Sequence, residues 1–141
     1  MFFRKPNVNW RKLVVRLLIV AIVLLMGGEL ISRYVLGLGT PPLSMADPEV
    51  EYLFKPSQEV HRFGNRIAFN AYSMRSDAFS RTKDNPEEFR LLVLGDSVIN
   101  GGAQTDQAEL ATQRLQADLA AALDRPVVVG NLSAGSWGPG N

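Results

Sequence analysis

Residues 89–102 read F-R-L-L-V-L-G-D-S-V-I-N-G-G, and the way this stretch breaks decides the fold class. Leu91, Leu92, Val93 and Leu94 make an unbroken apolar run of strand length. A run without polar alternation marks a strand covered on both faces, as in parallel sheets flanked by helices. Gly95 stops the run, and Asp96 and Ser97 follow at once. In open α/β sheets, ligands and reactive groups gather at the carboxyl ends of strands. Ser97 therefore stands where a nucleophile would stand, after a glycine that lets the chain turn sharply.

Beyond Gly101 and Gly102 a helix is expected from Asp106, with Asp106 and Glu109 forming an acidic version of the capping box. Its apolar stripe is Ala108, Ala111, Leu115, Leu119, Ala122 and Leu123, while Gln113, Gln116 and Asp118 fall largely elsewhere. Pro126 ends it. Val127 to Asn131 reads as a second buried strand, followed by Ser133-Ala134-Gly135-Ser136-Trp137-Gly138. Strand, helix and strand in that order give a right-handed crossover and a parallel pair. The fold class is α/β, with helices over a parallel sheet.

Gly95-Asp96-Ser97 after one hydrophobic strand, and Gly135 after the next, resemble the first two blocks of the SGNH/GDSL hydrolase superfamily of serine esterases and acyl-transferring enzymes. Val98 stands where the family's nickname has leucine. The resemblance covers residues 90–141 and implies the start of a three-layer α/β/α, flavodoxin-like parallel sheet. It implies Ser97 as nucleophile, the backbone N–H groups of Ser97 and Gly135 as oxyanion-hole donors, and Gly95 and Asp96 as loop support. The substrate implied is an acyl ester, with no cofactor, no metal and no nucleic acid. Trp137 fits a pocket wall and plain packing equally well. The family's third block and its D-x-x-H block have no counterpart before Asn141. The resemblance thus implies the N-terminal portion of a hydrolase, or a truncated product, that turns over esters poorly by itself. Loss of the base removes a factor of about 10⁴ from triad catalysis.

His61 is the only histidine. It precedes Ser97, whereas the family's catalytic histidine follows the serine, so it reads as a hairpin or surface residue. Arg75 is expected in an ion pair with Asp77, Asp96 or Glu88, the alternative being an anion site. The glycines at 95–102 match neither G-x-x-x-x-G-K-[ST] nor G-x-G-x-x-G, which argues against a phosphate loop.

The first forty residues differ in kind. Residues 13–28 are apolar apart from Arg16, and as a helix they would span about 24 Å of a hydrocarbon layer about 30 Å thick. Apolar residues at helical spacing carry the helix to Leu36, before Gly37, Gly39, Pro41 and Pro42. The reading is a basic cytoplasmic flank at 1–12 and an uncleaved, single-pass signal anchor at 13–36, with a cleaved signal peptide as the competitor. The partner of 13–36 is then the lipid bilayer, and everything beyond it is extracytoplasmic. Five of the 15 basic residues precede position 17, whereas all 14 acidic residues lie from Glu29 onward. The acidic balance of the remainder gives nucleic acid no basic face. The absence of cysteine excludes a disulfide framework and a thiolate metal site.

Residues 37–88 read as an extended, hairpin-like lead-in, with Gly64-Asn65 as a turn between 60–63 and 66–69 and a charged loop at 80–88. Residues 89–141 form the incomplete hydrolase-like domain. An alternative from another class is a non-catalytic single-pass membrane protein with an α/β interaction module.

Overall fold

The structure, a computed structural model, describes residues 9–138 and 140; the basic residues at 4 and 5 and Asn141 lie outside the described residues. It is a mixed α/β chain that begins with a long apolar helix, α1 (Trp10–Leu30), continued by a π-helical turn over Ile31–Val35. Asn9 caps it by accepting from the Lys12 amide, and none of its residues is buried. An all-round apolar helix with no protein against it is long and apolar enough to cross a membrane.

Two antiparallel hairpins follow: β1 (Ser44–Asp47) with β2 (Glu51–Phe54), and β3 (Gln58–Arg62) with β4 (Asn65–Phe69). The second hairpin was expected, but its turn is Phe63-Gly64 rather than Gly64-Asn65. Arg62 pairs with Asn65, and the two residues between them have φ of 53° and 82°. That left-handed pair is what the right-handed twist of a two-residue hairpin demands. Stacking of Phe54 on Phe69, ring centroids 4.2 Å apart, ties the hairpins together.

The parallel pair is β5 (Phe89–Gly95) with β6 (Val127–Ser133), in register from Phe89 opposite Val127 to Gly95 opposite Ser133. Between them lie a short helix α2 (Ser97–Asn100), a 3-10 turn (Gln107–Glu109) and helix α3 (Ala111–Leu123). Helix α3 starts later than expected. Leu110, extended at ψ 141°, breaks the chain between the 3-10 turn and the helix. Ala108 is therefore off the helix, and the side facing the sheet is not the apolar stripe. Thr112 is its buried residue, Gln116 accepts from the Val129 amide at 2.8 Å, and Leu115 and Leu123 stay exposed. The helix ends at Asp124, in the left-handed conformation, before Pro126 is reached.

The two-faced burial expected of 91–94 is also corrected. Leu92 and Leu94 are 51% and 65% exposed, so β5 is covered on one face. The two edges of the pair differ as well. Along the outer edge of β6, the Arg75 amide donates to the Asn131 carbonyl at 2.8 Å and the Asn131 amide to the Ser76 hydroxyl at 2.8 Å. Segment 75–76 thus closes β6 as a short strand would, whereas among the described residues β5 pairs with β6 alone. The interior is correspondingly polar. Among the described residues seven apolar ones are buried, against nine polar or charged ones that include Asn100, Gln107, Asn131 and Ser133, and such groups are tolerated only when hydrogen-bonded.

Candidate active site

Gly95 and Ser133 are direct partners at the carboxyl end of the parallel ladder. Ser97 and Gly135 each lie two residues further on. The two loops therefore leave the sheet from neighbouring strands at the same end. They are tied by the Ala134 amide, which donates to the Gly95 carbonyl at 3.3 Å. Gly95 has to be glycine here, because a Cβ would lie 2.3 Å from Cγ1 of Ile99. That close approach folds α2 back over the strand end.

Asp96 is the N-cap of α2, its carboxylate accepting from the Val98 amide at 2.9 Å. Ser97 is the first residue of α2 and is exposed. Its hydroxyl and its amide make no hydrogen bond among the described residues, and neither does the Gly135 amide. A groove of about 610 Å³ lies at this end of the sheet, lined by Val50, Leu94, Gly95, Asp96, Leu132, Trp137 and Gly138, and Ser97 and Gly135 are not among its lining residues. That is a mostly apolar wall with one carboxylate, of a size that accepts a small organic ligand.

Three features that the motifs do not mention hold these loops. Asn100, at the end of α2, is buried and donates through Nδ2 to the Ser133 carbonyl at 3.0 Å. Asn131, fully buried on β6, donates to the Ile99 carbonyl at 3.0 Å and accepts from the Ser133 hydroxyl at 2.5 Å. Together they fasten α2 to the second strand.

The third is Arg75. Among the described residues no carboxylate pairs with it, contrary to the expected ion pair: Asp77 lies against Arg66, and Glu88 against Arg90. Instead its guanidinium, with 0% exposure, donates to the backbone carbonyls of Asn100, Gly102 at 2.6 Å and Thr105 at 2.7 Å. Nε has no partner among the described residues. Burial lowers the pKa of this guanidinium to about 10, and the charge of Asp106 offsets part of that. Three carbonyls aimed at one cation replace the counter-ion and fix the loop that leaves α2.

Tyr52, on β2, donates its hydroxyl to the Gly135 carbonyl and packs edge-on against Trp137. The Trp137 indole N–H is buried without a partner among the described residues. The lead-in segment therefore grips both loops, one through Arg75 and the other through Tyr52. Sequence reasoning missed these roles. The available signal was Asn131 and Ser133 inside an otherwise apolar strand, since buried polar groups require partners.

His61 lies elsewhere. It is exposed on β3 opposite Arg66, in a groove formed with Arg33, Tyr34 and Thr40 near the end of α1. Among the described residues no group of three or more His, Cys, Asp or Glu side chains gathers into a metal-binding set. No protein-family model, curated protein or solved structure matches this chain.

Proposed function

We propose that this is a membrane-anchored serine ester hydrolase of the SGNH/GDSL type, acting on acyl esters outside the cytoplasm. The observation that supports the reading is the placement at the sheet's carboxyl end: Gly95 and Ser133 are partners in the parallel ladder, and Ser97, which is exposed, and Gly135 each follow two residues later. Ester cleavage by serine needs a nucleophile, a base and donors aimed at the developing oxyanion. Ser97 Oγ bonds to the acyl carbon and its proton passes to a base. The carbonyl oxygen takes up negative charge against the amides of Ser97 and Gly135. The alcohol then leaves, and water releases the acid from the acyl-serine. In this reading β5 and β6 are the first strands of a three-layer α/β/α sheet. α1 spans the bilayer with the basic flank on the cytoplasmic side, as the clustering of positive charge at one end directs.

Among the described residues no histidine stands beside Ser97, so the chain alone is expected to acylate slowly. The test supplies the base from solution. The chain is incubated with p-nitrophenyl acetate and imidazole, and the acetylated residue is located by mass spectrometry. Acetylation concentrated at Ser97 and lost in Ser97→Ala is the expected outcome. Label spread over surface lysines and unchanged by Ser97→Ala would overturn the reading. A second reading, a non-catalytic single-pass protein whose α/β portion binds another chain, is favoured by the unpaired edge of β5, and that same negative result would leave it standing.

A further inference from the structure

We propose that the tip of the β3–β4 hairpin is a second membrane contact, so that the extracytoplasmic part rests on the bilayer at a fixed height. The inference rests on reading α1 as a membrane span. Lys12 is the last basic residue before the apolar run, apart from Arg16, which is near enough to the end to snorkel. With Lys12 at one edge of a hydrocarbon layer about 30 Å thick, the other edge falls about 20 residues on, near Ser32. Leu36 is then about 6 Å beyond it, inside the headgroup layer. Trp10 and Tyr34, both exposed, stand near the two edges, where amphipathic rings collect.

The hairpin tip is locked to this level by main-chain contact. The Phe63 amide donates to the Leu36 carbonyl at 2.9 Å. Gly37, at φ 68°, lies so close to β3 that a Cβ would be 2.0 Å from the His61 carbonyl oxygen. No side chain separates the helix exit from the hairpin, so Phe63 shares the depth of Leu36.

The chemistry of the tip suits that depth. Phe63 is 43% exposed and Leu38 is 39% exposed, on the two segments that meet there. The Arg62 guanidinium lies 5.8 Å from the centre of the Phe63 ring and has no carboxylate partner among the described residues, whereas the nearby acids Glu29 and Glu59 are taken by Arg33 and Arg66. An aromatic ring with an unpaired cation beside it fits the boundary between acyl chains and lipid phosphates. A large side chain at φ 53° in a tight turn is uncommon and costs stability, and contact with lipid accounts for its being there.

The chain has no cysteine, so single-cysteine variants report unambiguously. Phe63→Cys, Leu38→Cys, Ile22→Cys and Asn85→Cys are labelled with an environment-sensitive fluorophore. Each is placed in phosphatidylcholine–phosphatidylglycerol vesicles carrying lipid spin labels at headgroup level or deep in the acyl chains. Positions 63 and 38 are expected to lose most of their fluorescence to the shallow quencher, position 22 to the deep one, and position 85, in the charged loop, to neither. Position 38 guards against a disturbed turn in Phe63→Cys. If 63 and 38 behave like 85 while 22 is quenched, the span stands and this proposal falls. If 22 is not quenched, both fall. Shielding of 63 that grows with protein-to-lipid ratio would assign the tip to self-association and overturn the proposal too.

Discussion

Replacing Arg75 with methionine removes three donors while nearly preserving volume, and so isolates what the guanidinium does for the loop that carries Ser97. Its partners are the carbonyls of Asn100, Gly102 and Thr105, the first of these bonds fully buried and the others partly so. An acceptor left without a partner in the interior costs about 1–3 kcal/mol, and less where water can reach it. Against this, methionine relieves the penalty of burying a cation, the penalty seen in the drop of the Arg75 pKa to about 10. The stranded carbonyls win, because each is held by a backbone that other contacts keep in place. The net loss is about 3 kcal/mol, a large part of a typical domain stability of about 5–15 kcal/mol. Hydrogen exchange reads it locally. The amides of Asn100 and Gly101 donate to the carbonyls of Asp96 and Ser97 at 2.9 and 3.0 Å, so they exchange only when α2 opens. A loss of about 3 kcal/mol speeds that exchange about a hundredfold. Arg75→Lys, whose single ammonium cannot span all three carbonyls, should lie between. Exchange at 98–105 in Arg75→Met that matches the parent would refute the reasoning.

Three further outcomes are expected. Gly95→Ala forces a methyl to within 2.3 Å of Ile99 and should cost about 1–3 kcal/mol of thermal stability; adding Ile99→Ala leaves the residue-99 Cβ at 2.6 Å and should recover only a minor part, and a double variant as stable as the parent would be the contrary result. Tyr52→Phe removes the bond to the Gly135 carbonyl, worth about 1 kcal/mol. Acrylamide should then quench Trp137 more readily in a Trp10→Phe background, and unchanged quenching would mean that the hydroxyl does not hold the loop. Asp106 accepts from the Ala108, Arg66 and Gln107 amides, which hold its carboxyl below 3.8. A group with a depressed folded value stabilises fully above its unfolded value and loses that stabilisation as pH falls through the folded one. The stability gap between the parent and Asp106→Asn should therefore hold at neutral pH and narrow as the pH falls below the ordinary aspartate range; a gap that stays constant on acidification would be wrong for this carboxylate.

The periodicity of the chain made some of this fold legible. The apolar run at 13–28, interrupted only by Arg16, reads as a helix, and the helix runs from Trp10. Val127 to Asn131 reads as a strand because it is β-branched and apolar, and it pairs in parallel with β5. What failed was the inference of which faces are covered. An apolar strand looks the same whether one face or two are packed, so the exposure of Leu92 and Leu94 left no trace in the pattern. Helix α3 misled in the opposite sense. Its leucine stripe suggested an apolar contact, but Gln116 satisfies an edge amide of β6, a demand that depends on the neighbouring strand and not on the helix itself. Near the candidate site, the strand ends were legible because glycines and polar residues directly after apolar runs mark them, and β5 ends at Gly95 and β6 at Ser133. Arg75 was not. A lone arginine looks like half of an ion pair, and three carbonyls converging on one point are a property of the folded backbone.

The bare flank of β5 limits how crowded this chain tolerates being. Amides and carbonyls spaced for a ladder stand along that flank beside Leu92 and Leu94, so any extended segment drifting past finds ready partners. If α1 confines the molecules to a plane, they meet far more often than the same number dispersed in a volume, and each meeting can bring two such flanks together. Overproduction is then expected to tip the chain into aggregates at a threshold set by surface density, well before the fold itself gives way.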